Sequence, residues 1–571
     1  MTRHVVVLVA AGIAGLAIGT AGAAQPARGA ATAPAYASIA EAARKQDWMA
    51  VQAMIQQKGD LNAASTEGST ALHFAVGAGQ ATVVQALLAA GADISKRNLA
   101  GVSPLHLAVL DGETAITKLL LAKGADARIK DEASETLLML AARHGDGELA
   151  AALIAAGAEL NYVEPNFGQD ALMIAVRSGK PSVVGALIKA GAVLDHQTPP
   201  GPEPAWREPG AGGGSTGEGM IRSGVPPEGQ RAAGTGKASA LLYAARDGQV
   251  ESARLLVKAG AKLELADYNG ITALVMAIGN DHHDIAQLLI EAGANVNAVD
   301  WYGRSPLWVA VESRNRDVSS VTATSNGVDR DAALRTITML VEKGANLNAR
   351  IQHFPPRMNG HTFNLSYVPT VGETPFYRAA LNNDLPVMKL LLARGADPKI
   401  ATFNGTTPLA AAAGVGWVRG QTFVPSGVPV QLEAVKMLVD LGGDVNQANE
   451  MGLAPLHGAA FRWSDEVITY LVERGAKLAP GAFGVGGQAP ELARHAQHLD
   501  VVGPRGPFAR GGMERQDGHD LDSRPPGQVA GQPGPKQAPR RRQGQVRPPQ
   551  SGQGHLPQAA ADGVAHQQRA G

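Results

Sequence analysis

The sequence predicts an all-α solenoid, and three observations carry that prediction. A motif returns at fixed spacing: residues 69–75 read S-T-A-L-H-F-A, and S-P-L-H-L-A follows at residues 103–108, with Thr70 and Ser103 33 positions apart. The intervening stretch returns too, V-V-Q-A-L-L-A-A-G-A at 83–92 becoming I-T-K-L-L-L-A-K-G-A at 116–125. The third observation is a ruler of glycines: Gly91, Gly124, Gly157, Gly191, Gly260, Gly293, Gly344, Gly395, Gly442 and Gly475. Their intervals are 33, 33, 34, 69, 33, 51, 51, 47 and 33 residues, one period or one period plus an insertion.

Each part of the period has a physical reason. Pro306 and Pro408 stand where a helix begins, where a missing N–H costs nothing and the preceding Ser305 or Thr407 caps the end. Leu307, Ala310 and Val311, spaced i, i+3, i+4, form the buried face of a short first helix, and alanines there allow close approach of neighbours. A second helix carries pairs such as Leu288–Leu289, and Gly293 closes it in a left-handed conformation. Asn295 and Asn297 then turn the chain into a hairpin. No such unit buries its own apolar face, so the units must stack.

A 33-residue period carrying a T-P-L-H-x-A signature resembles the ankyrin repeat. Counting a divergent opening unit at residues 38–62, the resemblance covers about eleven repeats over residues 38–478. It implies a scaffold that holds another protein and seldom a pocket for chemistry. In that family the two residues before the hairpin glycine and the one after it project toward partners. Carried onto this chain, the resemblance implies partner-binding roles for Tyr268 and Asn269, for Trp301, Tyr302 and Arg304, for Glu373, and for Phe403, Asn404 and Thr406. Trp, Tyr and Arg are the types that dominate binding hot spots. The competing reading packs Trp301 and Tyr302 onto the long insertions of their own chain.

Two blocks of repeats, residues 38–195 and 238–478, flank a Gly/Pro-rich segment at 196–237. Eighteen of the 38 residues from 199 to 236 are Gly or Pro, so no core forms there and the segment is a flexible loop or linker. It either divides two domains or extrudes from a hairpin of a single stack. Further insertions fall near 313–331, 350–370 and 414–431, and eleven of the chain's 24 aromatics lie within residues 301–423. The alternative function therefore uses those aromatic-rich insertions, in a non-catalytic helper subunit of an extracytoplasmic enzyme or a peptide- or glycan-binding module. Residues 479–571 lose the period, contain no Ile and a single Lys, and read as disordered or as an out-of-frame terminus.

Arg3 and His4 precede an apolar run at residues 5–18, and Ala21-Gly22-Ala23 follows, the pattern of a secretory signal peptide over residues 1–24. The run is shorter than the roughly 20 residues a membrane span needs; the competing reading is an uncleaved anchor. The Ala, Gly and Arg bias points to a GC-rich bacterial genome and hence to a periplasmic or secreted protein, with no membrane insertion after cleavage. Lys+Arg and Asp+Glu are both 51, so no broad basic field attracts nucleic acid, and the absence of Cys removes disulfides, thiolate nucleophiles and Cys-based zinc sites. The expected partner is another protein.

The constellations that resemble chemistry are weak. His73, His106 and His457 share one repeat position, held elsewhere by Met139, Met173, Leu242, Trp308 and Tyr377, and the resemblance gives that histidine a structural hydrogen bond. Asp281-His282-His283-Asp284 is metal-like in composition but falls at a solvated turn before a second helix. His353 and His361 lie in an insertion and have no assigned role. Gly236-Lys237 lacks the Ser/Thr and the first Gly of a phosphate-binding loop, the G-x-S-x-G string at residues 213–217 has no strand before it to make a nucleophile elbow, and H-E-x-x-H does not occur. No catalytic, metal or cofactor residue is expected, and the chain is not expected to be an enzyme.

Overall fold

The computed structural model describes residues 36–201, 235–315, 328–353, 371–417 and 428–477. The expectations placed on residues 1–24, on 479–571 and on most of the insertions lie outside the described residues. Within them, helices follow one another in pairs. The first five pairs are α1 (Ile39–Arg44) and α2 (Trp48–Gln56), α3 (Ala71–Gly77) and α4 (Ala81–Ala89), α5 (Pro104–Leu110) and α6 (Thr114–Ala122), α7 (Leu137–His144) and α8 (Gly147–Ala155), α9 (Ala171–Arg177) and α10 (Pro181–Lys189). Six more follow: α11 (Ala240–Asp247) and α12 (Val250–Lys258), α13 (Ala273–Gly279) and α14 (His283–Glu291), α15 (Pro306–Arg314) and α16 (Arg330–Glu342), α17 (Pro375–Leu381) and α18 (Leu385–Ala393), α19 (Pro408–Ala413) and α20 (Val428–Asp440), α21 (Pro455–Phe461) and α22 (Asp465–Glu473).

The first helix of each pair packs on the first helix of the next, and the second helices do the same from α2 to α18 and from α20 to α22, with α18 and α20 linked by the Lys389–Glu433 ion pair at 2.8 Å, so two layers run the length of one stack. The stack continues past residues 202–234, because α9 packs on α11 and α10 on α12. One apolar core follows it from Ile39 to Leu471. Helix starts obey the capping rule: the Ser305 hydroxyl accepts the Trp308 N–H at 3.2 Å with Pro306 at the first helical position, and Thr407 caps Ala410 at 3.1 Å. Ser305→Ala is expected to cost about 1 kcal/mol, read as a lower urea midpoint for the segment that includes α15. Helix ends obey theirs, with Gly293 at φ +89°.

Hairpins are tied from repeat to repeat by side chains. The Asn62 carbonyl oxygen accepts the Asp93 N–H at 2.8 Å, Asn161 accepts that of Val193 at 2.9 Å, and Asn446 accepts that of Lys477 at 2.8 Å. The repeat histidines are structural. His73 Nδ1 accepts the Thr70 N–H at 3.1 Å, and its Nε2 donates to the Val102 carbonyl of the next repeat at 3.0 Å. Burial holds its pKa below the ordinary imidazole value, in keeping with a neutral ring doing both jobs. His457 Nδ1 accepts the Ala454 N–H at 3.0 Å, the same ring-to-cap bond that His73 makes to Thr70, at a helix start where alanine offers no hydroxyl cap.

Candidate protein-binding surface

Two parts of the repeats present side chains at the surface: hairpin tips such as Leu99 and Phe403, and outward positions of first helices such as Arg177. Tips of consecutive repeats are joined through the backbone. The Leu99 N–H donates to the Glu67 carbonyl at 3.1 Å, Trp301 to Asn269 at 3.0 Å and Phe403 to Val371 at 3.0 Å. This row of bonds fixes the tips along one edge, and a side chain directed out of it is carried on a rigid mount.

Of the nine residues assigned to partner binding, the structure leaves four accessible. Phe403 is half exposed, its ring 4.2 Å from the Arg350 guanidinium, which is itself held by the Gly372 and Ala401 carbonyls. Tyr268 and Asn269 are partly exposed, and Asn269 takes part in a turn through Asp267 at 2.8 Å. Trp301 is partly exposed but stacks on His353 at 4.5 Å and meets Tyr302 edge-on at 5.1 Å, so it packs against the start of an insertion of its own chain.

The other five are corrected. Tyr302 is buried beneath Trp301. Arg304 turns inward because Asp300 claims it: Nε to Oδ2 is 2.6 Å, and both side chains are buried. The other Asp300 oxygen accepts the Tyr302 and Arg304 N–H groups at 3.0 and 2.9 Å, which leaves the pair well hydrogen-bonded. Asn404 and Thr406 are buried in a hydroxyl–amide network, with Thr406 Oγ1 donating to Asn404 Oδ1 at 3.0 Å and accepting from Asn449 Nδ2 at 2.9 Å. Glu373 is 1% exposed and faces Arg378 Nη1 at 3.6 Å. Burial pushes its carboxyl up to about 7, the Arg378 charge opposes that rise and Glu312 reinforces it.

Arg378 is the hub of that cluster. Its Nε is bonded to the Glu312 carboxylate, and the guanidinium lies 5.7 Å from the Trp308 ring. Burial works against its charge, but Glu312 and Glu373 together more than offset that and raise its pKa. A second buried system lies at the turn between α17 and α18. Asp384 Oδ2 accepts Arg314 Nε at 2.9 Å and Asn315 Nδ2 at 3.0 Å, while Asp384 Oδ1 caps Val387. Both systems are internally neutralised, so they stiffen this part of the stack and leave no free charge to recruit a ligand.

Two exposed tips escaped the sequence reading. Leu99 is 80% exposed and Phe167 is 72% exposed. Each occupies one of the two positions before its hairpin glycine, Gly101 or Gly168, as Trp301 and Tyr302 do before Gly303. The metal-like cluster comes apart. His283 is buried at the start of α14 with Nδ1 3.3 Å from Thr336 Oγ1, which corrects the expectation of a wholly solvated turn, and His282 Nε2 contacts the Arg246 carbonyl at 3.2 Å. Among the described residues no group of three or more His, Asp or Glu could hold a metal ion.

A family model for ankyrin repeats matches residues 39–131, 105–198, 241–351 and 376–480, well over half of the chain. The chain belongs to the ankyrin-repeat family. A shorter likeness, 41% identity over 64 residues, is to Notch-regulated ankyrin repeat-containing protein A of Danio rerio. It covers 11% of this chain and 56% of that protein, so the chain spans about half the length of that curated relative. Among solved structures, the human ASB11 ankyrin repeat domain is similar at 23% identity, with a TM-score of 0.34, covering 46% of this chain and 99% of that one. Ankyrin repeats generally mediate protein–protein interaction, and this repeat array is a scaffold of that general kind.

Proposed function

We propose that this ankyrin array is exported from a bacterial cytoplasm and grips a partner protein through its hairpin tips and first helices. The observation that carries the reading is a set of exposed apolar tips on fixed backbone: Leu99 and Phe403, held by inter-repeat backbone bonds, and Phe167, whose N–H is held by the Glu164 carboxylate, each at least half exposed, with Tyr268 and Trp301 partly exposed. Large apolar side chains on rigid mounts, isolated from the core, supply contact area at low ordering cost. Export rests on the leader pattern of residues 1–24. Among the described residues no helix is long and apolar enough to cross a membrane.

The test uses tagged full-length protein cross-linked in its host's envelope, beside a version carrying Leu99→Ala, Phe167→Ala and Phe403→Ala. Hot-spot residues contribute about 2 kcal/mol or more each, so the triple variant is expected to lose at least nine-tenths of the captured partner. Identical capture by both versions would overturn the role of the tips. Intact mass of the recovered protein checks export: it should begin near Ala24 or Gln25, and retention of residues 1–24 in every cell fraction would contradict a cleaved leader.

A further inference from the structure

Three consecutive first helices carry arginine at the same register. Arg143 is the seventh residue of α7, Arg177 of α9 and Arg246 of α11. Elsewhere that register holds Gly77, Leu110, Gly279, Glu312, Leu381 and Phe461, among others. Because α7 packs on α9 and α9 on α11, the three guanidiniums form a row across neighbouring repeats. Helices in contact lie ~8–10 Å apart, which sets the pitch of the row.

The row is ordered from below. Tyr243 of α11 is buried and places its ring 5.2 Å from the Arg177 guanidinium and 4.8 Å from that of Arg246, so one aromatic platform positions two cations. Gln169 holds the platform by donating to the Tyr243 hydroxyl at 3.3 Å. Glu135 binds Arg143 through both terminal nitrogens at 2.8 and 2.7 Å, and Asp247 binds Arg246 through Nε and Nη2 at 2.7 and 2.9 Å. Arg177, exposed at the centre, has no carboxylate within ion-pair distance among the described residues. Lys180 and His144 lie at the same end of these helices. The His144 pKa is held down by burial and then by the Arg143 and Lys180 charges, with Glu135 opposing them.

We infer that Arg143, Arg177 and Arg246 form a reading strip for an extended, acidic segment of the partner protein, with Arg177 as its primary anchor. Geometry favours an extended polypeptide. A polyproline-type chain has three residues per turn and rises ~3.1 Å per residue, so acidic side chains at every third position share one face at a pitch of ~9 Å. That pitch matches the spacing of stacked helices. Arg143 and Arg246 each keep free N–H donors beside their own carboxylate partners, since a guanidinium carries five in all. The inference rests on the reading of the first helices as a binding face and adds the chemistry of the bound segment.

The test measures fluorescence anisotropy of labelled nonapeptides with full-length protein at low ionic strength. One peptide has Glu at positions 1, 4 and 7 in a Pro/Ala background; the other has the same composition with its three Glu contiguous. The spaced peptide is expected to bind saturably and to weaken as salt rises. Arg177→Glu should weaken it by roughly tenfold or more, because it replaces a charge-assisted contact with a repulsive one. Arg254→Glu, an exposed charge reversal on α12 of the second-helix layer, should leave it unchanged. Saturable binding that Arg177→Glu alone weakens, with the contiguous peptide at least threefold poorer, supports the strip. No saturable binding, equal losses for both charge reversals, or equal affinity for the two peptides overturns it. Tripolyphosphate binding as tight as that of the spaced peptide would equally overturn it, in favour of a general anion site. Arg177 is exposed, so unchanged melting of the variant is the fold control. Failure here leaves capture through Leu99, Phe167 and Phe403 as a separate result.

Discussion

Arg378→Met is expected to destabilise the second half of the stack by about 3–5 kcal/mol, the usual cost of removing one partner from a buried charge cluster. Methionine keeps much of the stem packing, so the loss reports the charge. Glu312 and Glu373 would then face each other with no cation between them, and Trp308 would lose the guanidinium beside it. Each repeat touches only its neighbours, so the damage should stay local. Urea unfolding is expected to split into two transitions, and hydrogen exchange should place the weaker one in α15–α19.

The same cluster predicts a pH dependence whose sign follows from Glu373. Its carboxyl titrates near 7 in the folded chain against an ordinary 4.5. Between those values the folded state holds a proton that the unfolded state has released, so this group's contribution to stability falls as pH rises through the window and levels off above it. The full span is worth roughly 3 kcal/mol. Glu373→Gln should abolish that slope and gain most, relative to the unaltered chain, above pH 7. Parallel stability curves for the two proteins from pH 4 to 8 would show that the carboxyl is not held protonated.

Asp384→Ala carries the second large effect, an expected loss of about 3 kcal/mol or more. The change removes one acceptor from a buried arginine and a buried asparagine at once, and also deletes the cap of α18. Asp384→Asn should recover part of the loss, because its carbonyl oxygen still accepts while the charge is gone. Denaturant midpoints check this: equal midpoints for the two variants would contradict a contribution from the accepted hydrogen bonds, and an Asp384→Asn midpoint equal to that of the unaltered chain would contradict a charge-based role.

The fold was legible because the repeat writes its boundaries in residues with one job. Pro306 opens a helix, Gly293 closes another, and Asn62, Asn161 and Asn446 recur where hairpins must be tied. The partner-facing residues were less legible because repeat register places a Cα and says little about where its side chain finds company. Arg304 follows its hairpin glycine as the family pattern requires, yet Asp300, four residues earlier, draws it inward. Glu373 occupies the equivalent place and is claimed by Arg378, whose presence five residues on gave no sequence signal of contact. Weighting aromatic residues also drew attention to the second half and away from Leu99. Phe167 and the shared register of Arg143, Arg177 and Arg246 were there to be read by aligning the repeats column by column, a comparison that composition cannot replace.

The most direct test of the binding face is site-specific photo-cross-linking in the host, with the reactive group placed in turn at Leu99, Phe167 and Arg177 and, on the second-helix layer, at Lys118 and Lys389. The account predicts partner adducts from the first three positions and none from the last two. Adducts confined to Lys118 and Lys389 would place the partner on the opposite layer and contradict the account.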